Sequence, residues 1–135
     1  MSELPVPAPT VSPEGADYWA ATAEGRLALQ RCTGCSHVIW YPRGFCPACE
    51  GRELEVITAT GRGTIYSFTV IRRGAIGPYK GTEPYALAYV ELEEGPRVMT
   101  NVVECDVDAL QIGDAVTAVF HPTGEGTSLV RFRPS

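Results

Sequence analysis

Apolar and polar residues alternate through the second half of the chain, with turn-forming residues between the runs. The period of two predicts strands over Thr64–Ile71, Tyr85–Leu92, Arg97–Val103, Ala115–Phe120 and Ser128–Phe132. Glu94-Gly95-Pro96 makes the turn between the second and third, and Gly113-Asp114 re-enters the sheet before the fourth. Asp106-Val107-Asp108-Ala109-Leu110 reads as a helical turn between the third and fourth. Five strands with a short helical element in that position is the order of an OB-fold barrel. The first connection, Arg72 to Pro84, is long and rich in glycine, and loops of that length in compact domains are often functional or mobile.

The first half follows other rules. Residues 12–24 predict a short helix, with Ser12 as cap, Pro13 in the first turn, Glu14 at the positive end of the dipole and Gly25 as the stop. Arg26–Arg31 predicts a strand that runs directly into Cys32. His37-Val38-Ile39-Trp40-Tyr41 is a second β-prone run, ended by Pro42. The expected division is a flexible arm over 1–11, a helix and ribbon over 12–54, and the barrel over 55–135.

Composition narrows the class. The 135 residues are 44% hydrophobic and 20% charged, a globular balance with no apolar run near the ~20 residues that span a bilayer. Met1 to Val11 is Pro- and Ala-rich and lacks the basic start and apolar stretch of a secretion signal, so the expectation is a cytoplasmic protein with no membrane partner. The net charge of −5, with Lys80 the one lysine and ten arginines scattered, argues against nucleic acid, whose affinity rests on clustered cations.

Four of the five cysteines form two C-x-x-C turns, Cys32-Thr33-Gly34-Cys35 and Cys46-Pro47-Ala48-Cys49. This spacing turns paired thiolates toward one ion, and two such turns supply a closed tetrahedral site for structural zinc. With four protein ligands there is no open position at which water could be activated. A thioredoxin-like redox pair and an iron site are the competing readings. His37 stands beside the cluster but is not needed as a ligand. Cys105 reads as a small buried apolar residue, and a nucleophilic pairing with His121 would require two distant segments to meet. Glu91, Glu93 and Glu94 read as a solvated strand edge rather than an acid–base set. Gly61-Arg62-Gly63 reads as backbone geometry entering the first barrel strand. No nucleophile elbow, zincin, Walker or dinucleotide fingerprint occurs.

Several motifs in order carry a family resemblance. Tyr18-Trp19, Glu24-Gly25-Arg26-Leu27, Gln30-Arg31-Cys32, Tyr41-Pro42-Arg43 and the second cysteine pair come first. Gly61 to Val70, Pro84-Tyr85, Val90-Glu91-Leu92, Glu94 to Arg97, Ile112-Gly113 and Arg131 to Pro134 follow. Together they resemble the zinc-ribbon/OB-fold acyl-CoA-associated proteins over nearly all of residues 12–134. The resemblance implies a mainly β chain: an N-terminal helix, a rubredoxin-like zinc ribbon and a five-stranded OB-fold barrel. It also implies a non-catalytic accessory subunit in a hetero-oligomer with a thiolase-like enzyme. Such complexes handle acyl-CoA by thiolytic, Claisen or retro-aldol chemistry, including steroid side-chain cleavage. The catalytic residues would belong to the partner, and a CoA thioester would bind only in a site shared with it.

On that reading Tyr18, Trp19, Arg73, Ile76, Tyr79 and Lys80 are the residues expected to face the partner or its acyl-CoA channel, although Trp19 could equally pack inside the ribbon–barrel junction. Few cations lie near the long loop, which favours a shared site over independent CoA binding. Two readings from other classes remain. One is a nucleic-acid-binding module stacking bases on Tyr66, Phe68, Tyr85 and Tyr89. The other is a rubredoxin-like electron carrier.

Overall fold

The computed structural model describes residues 4–135. The part of the expected arm formed by residues 1–3 lies outside the described residues. Residues 4–11 have no regular structure. Helix α1 (Ala16–Ala23) is followed by a three-stranded sheet of β1 (Ala28–Cys32), β2 (Val38–Ile39) and β3 (Leu54–Thr58), in the order β2-β1-β3. The second half is a closed barrel of β4 (Arg62–Ile71), β5 (Tyr85–Leu92), β6 (Arg97–Val102), β7 (Ala115–Pro122) and β8 (Ser128–Pro134). Its strands run β4-β5-β6-β8-β7, and β7 closes back on β4. Among the described residues, Val102 meets Phe132 in the one parallel pairing of the barrel, and its other pairings are antiparallel. This is the expected mainly β architecture, with a four-cysteine ribbon preceding a five-stranded barrel.

All five predicted barrel strands form, most with ends moved by one or two residues. Alternation is enforced by the barrel interior, which takes Ile65, Ala88, Val90, Val98, Val102, Val116 and Phe132. The turn between β6 and β7 is a 3-10 turn over Val107–Ala109, and the Asp106 carboxylate accepts from the Asp108 amide at 2.9 Å. Gly63 approaches β5 so closely that a Cβ there would stand 2.5 Å from the Glu91 carbonyl oxygen, while Gly61 has φ +83°. Backbone geometry therefore accounts for both glycines.

Helix α1 is shorter than its sequence pattern suggested. Ser12 captures the Gly15 amide with its carbonyl (3.1 Å) and its hydroxyl (3.3 Å), so residues 12–15 form a turn before the helix starts. Gly15 lets this turn lie against the ribbon, since a Cβ would be 2.8 Å from the Tyr41 hydroxyl. The C-terminal end behaves as expected, with Gly25 at φ +76° and the amides of Glu24, Gly25 and Arg26 closing onto Ala21 and Thr22.

Strand β3 was missed by the sequence reading. It pairs along all of β1, from Ala28 opposite Thr58 to Cys32 opposite Leu54, so the ribbon sheet runs past residue 54. Ribbon and barrel share apolar contacts through Tyr18, Leu27, Leu29 and Ala59. Thr22 adds a buried polar tie: its hydroxyl accepts from the Ser128 amide at 3.0 Å and donates to the Trp19 carbonyl at 2.6 Å. Among the described residues, no helix is long and apolar enough to cross a membrane.

Candidate metal centre and the adjoining aromatic cavity

The two cysteine turns have the same backbone design. The Cys32 amide donates to the His37 carbonyl (2.9 Å) and the Ser36 amide to the Cys32 carbonyl (2.8 Å). In the second turn the Cys46 amide donates to Gly51 (2.7 Å) and the Glu50 amide to Cys46 (2.8 Å). Ser36 (φ 67°) and Glu50 (φ 65°) occupy matching left-handed positions, which swing each chain around its sulfurs. Cys32 and Cys46 are buried, while Cys35 and Cys49 lie at the outer face.

These turns bring the Sγ atoms of Cys32, Cys35, Cys46 and Cys49 within 4.8 Å of one another. Sulfurs about 2.3 Å from a central zinc ion would form a tetrahedron with edges of about 3.8 Å. The Cys32–Cys49 and Cys35–Cys46 separations are each 3.6 Å, so the donor set fits such an ion. Amides of Ala48 and Gly51 point at Cys46 and Cys49 sulfurs, both at 3.4 Å. The Cys32 thiol is held down to about 7, chiefly by the Cys35 amide. At Cys35 the His37 amide lowers the value, but the Cys49 sulfur, burial and the other two sulfurs push it up to about 12. Four thiols this close oppose one another's ionisation, and a bound cation would offset that repulsion.

The remaining candidates fall in different places. Tyr18 is 5% exposed and closes α1 onto the ribbon. Burial pushes its phenol up to about 12 and keeps it neutral. Trp19 is half-buried and donates from its indole to the Tyr41 hydroxyl at 2.7 Å, which fits the junction-packing alternative. Tyr79 is half-buried, with its ring 5.5 Å from that of Tyr85 and its hydroxyl 3.4 Å from the Arg131 guanidinium. Arg73 and Lys80 are exposed, and Ile76 is 84% exposed.

Tyr18, Trp19 and Tyr79 thus come together as walls of one cavity of about 180 Å³, which Arg73, Ile76 and Lys80 do not line. Trp40, Tyr41, Met99, Thr100 and Arg131 complete much of its lining. The buried indole N–H of Trp40 lies beside the Tyr18 hydroxyl and, among the described residues, reaches no partner in good hydrogen-bond geometry. Arg131 was missed by the sequence reading. It is 2% exposed and donates to His121 Nδ1 (3.0 Å) and to the Pro5 carbonyl (2.5 Å). Its only sequence signal was its place in a terminal motif, because an arginine in an alternating strand is expected to face water.

The long loop carries hydrogen bonds of its own. The Glu83 carboxylate accepts from the amides of Ala75 (3.2 Å) and Gly81 (2.7 Å), and the Thr82 hydroxyl donates to the Tyr79 carbonyl (2.6 Å). Cys105 and His121 keep separate company: the thiol lies 3.8 Å from the Val102 carbonyl, and the imidazole meets Arg131. The glutamates are engaged along their edge, Glu91 with Arg97, Glu93 with Arg62 and Thr60, and Glu94 with the Thr60 amide.

A four-cysteine ribbon fused to an OB-fold barrel is the class that this fold and site define. Family models for the ChsH2 rubredoxin-like zinc ribbon domain and the ChsH2 C-terminal OB-fold domain match residues 19–55 and 56–121. The chain belongs to this ChsH2/DUF35 family. It is 40% identical over 100 residues to a DUF35 domain-containing scaffold protein of Methanothermobacter thermautotrophicus, covering 73% of this chain and 74% of that one. It is 32% identical over 130 residues to a probable enoyl-CoA hydratase alpha subunit of Thermomonospora curvata, covering 96% of this chain but only 40% of that protein. Benzoylsuccinyl-CoA thiolase subunit BbsA of Thauera aromatica is 33% identical over 89 residues, 64% of this chain and 60% of its own. Among solved structures, the Ltp2-ChsH2(DUF35) aldolase contains a chain that superposes with a TM-score of 0.83 at 31% identity, covering 94% of this chain and 98% of that one.

Proposed function

We propose that this chain is a non-catalytic accessory subunit of a thiolase-like complex acting on acyl-CoA thioesters. The observation that carries the reading is the match, over almost its whole length, to a chain of the Ltp2-ChsH2(DUF35) aldolase. The relative named as a thiolase subunit supports it. In this reading Cys32, Cys35, Cys46 and Cys49 hold one zinc ion, which fixes the ribbon and takes no part in turnover. The loop around Arg73, Ile76, Tyr79 and Lys80 and the cavity behind Trp19 face the acyl-CoA channel of the partner, and thiolysis, condensation or aldol cleavage takes place on the partner's residues. A steroid-derived thioester is one substrate class that fits.

Co-expression with candidate thiolase-like proteins from the same genome tests the reading. A stoichiometric complex that survives size exclusion is expected, with a CoA-thioester affinity greater than that of either chain alone. Two chains that elute separately, or tight CoA binding by this chain alone, would contradict it. Base stacking remains the second reading because Tyr66 and Tyr89 are exposed on one barrel face. The acidic charge opposes it.

A further inference from the structure

The barrel's outer surface carries an apolar row that the alternation rule would have made polar. Met99 on β6 is the cross-strand partner of Tyr89 on β5, and Tyr89 lies opposite Ser67, next to Tyr66 at the β4 irregularity. The Gly113 amide donates to the Ile65 carbonyl at 2.8 Å, which brings Ile112 to the same level from the segment entering β7. Exposures are 52% for Met99, 47% for Tyr89, 47% for Tyr66 and 69% for Ile112, while Val98, Ala88, Val90 and Ile65 beside them are buried. Four large apolar side chains therefore girdle one side of the barrel across four consecutive segments, and the core uses none of them.

Arg97 fixes this row. Its guanidinium lies 3.7 Å above the Tyr66 ring while its Nε donates to Glu91 at 3.0 Å. The ring is held in place, and the only cation of the row is already neutralised. Tyrosine, methionine and arginine are enriched in interface cores, and pre-organised aromatics lose little entropy on docking.

We infer that the Met99–Tyr89–Tyr66–Ile112 row is the docking face for the thiolase-like subunit, engaging an apolar, uncharged patch on it. The inference rests on the proposed function and adds the surface used. Met99 ties the two together, because it belongs to the row and also lines the cavity with Trp19 and Tyr79. The docking face is thus continuous with the proposed channel-facing site. Charge selects among occupants: a nucleic acid needs free cations, and here Arg97 is paired with Glu91 in a chain of net charge −5. A second copy would bring that same net charge against itself.

The test titrates the full chain into a purified thiolase-like protein from the same genome that co-purifies with it, and follows binding by calorimetry, for wild type, Tyr89→Glu and Ile112→Glu. Both positions face outward, so unchanged metal content and circular dichroism will certify the fold, and Ile112→Glu in an irregular segment covers the case in which a strand substitution misfolds. Each variant is expected to weaken binding at least about tenfold, as loss of an interface anchor does. Wild-type binding with equal affinity in both variants would overturn the docking face and leave the accessory role standing. No binding by wild type would overturn both. Sedimentation of this chain alone as a dimer that Tyr89→Glu dissociates, or tyrosine quenching by a single-stranded oligonucleotide, would assign the row to those occupants instead.

Discussion

The guanidinium of Arg131 donates to the carbonyl of Pro5, 126 positions away, at 2.5 Å. The same side chain meets His121 on β7 and the Tyr79 hydroxyl of the long loop. One buried cation therefore joins the N-terminal arm, the barrel and the loop beside the aromatic cavity. A guanidinium suits this role because its donors fan out in one plane and it remains charged at any working pH.

Arg131→Met is expected to release the arm and the loop together. Hydrogen exchange at residues 4–11 and 73–84 should quicken several-fold, while the ribbon amides keep their protection. Global stability should fall by about 1–3 kcal/mol, the usual cost of leaving buried polar groups without their partner. Faster exchange in the loop alone would show that the arm is held by other contacts.

Cys46→Ser should remove the metal and the ribbon with it. A closed thiolate site contributes folding free energy directly, and Cys46 is fully buried. Metal analysis of the wild type should give about one equivalent of zinc per chain, and the variant well under half of that. Folded wild type with less than about one-half equivalent of zinc plus iron would contradict a structural metal.

The long loop should be pH-sensitive through Glu83. Its own backbone amide does most to hold its carboxyl below the usual range; burial opposes this, and the amides of Ala75, Gly81 and Thr82 add to the lowering. A depressed folded value means that the stabilisation is present above the ordinary carboxyl range and is lost as pH falls through the lowered value. Protection factors of the loop amides, corrected for the intrinsic pH dependence of exchange, should thus hold through the neutral range and fall as the pH drops below the ordinary carboxyl range. Glu83→Gln should loosen the loop already at pH 7 and flatten that dependence, and an unaltered acid profile in the variant would assign the effect to another group.

Local chemistry explains which parts of this structure could be read from the sequence. The barrel strands were legible because one face of each must enter a closed interior, and the metal ligands because C-x-x-C spacing is a geometric requirement. Strand β3 was not, because Glu53, Glu55 and an exposed Val56 hide its pairing with β1. The first turn of α1 was over-read because Ser12 captures the Gly15 amide, and a capping residue can close a turn as readily as begin a helix. The aromatic cavity draws on α1, the ribbon, the loop and β8, segments that only the tertiary fold brings together, so no local pattern announces it. Tyr18 shows the same limit: an aromatic on a short helix can be an anchor or a core residue, and packing against Leu27 and Leu29 decided for the core.

The accessory role is tested most directly by steady-state turnover of an acyl-CoA thioester with this chain alone, the thiolase-like subunit alone, and the two mixed at increasing ratios. The account predicts no turnover by this chain and activity that rises until the two are stoichiometric. It also predicts a loss of that gain with Tyr89→Glu and no loss with Cys105→Ala. Turnover by this chain in the absence of a partner, or a thiolase-like subunit whose rate is indifferent to its presence, would contradict it.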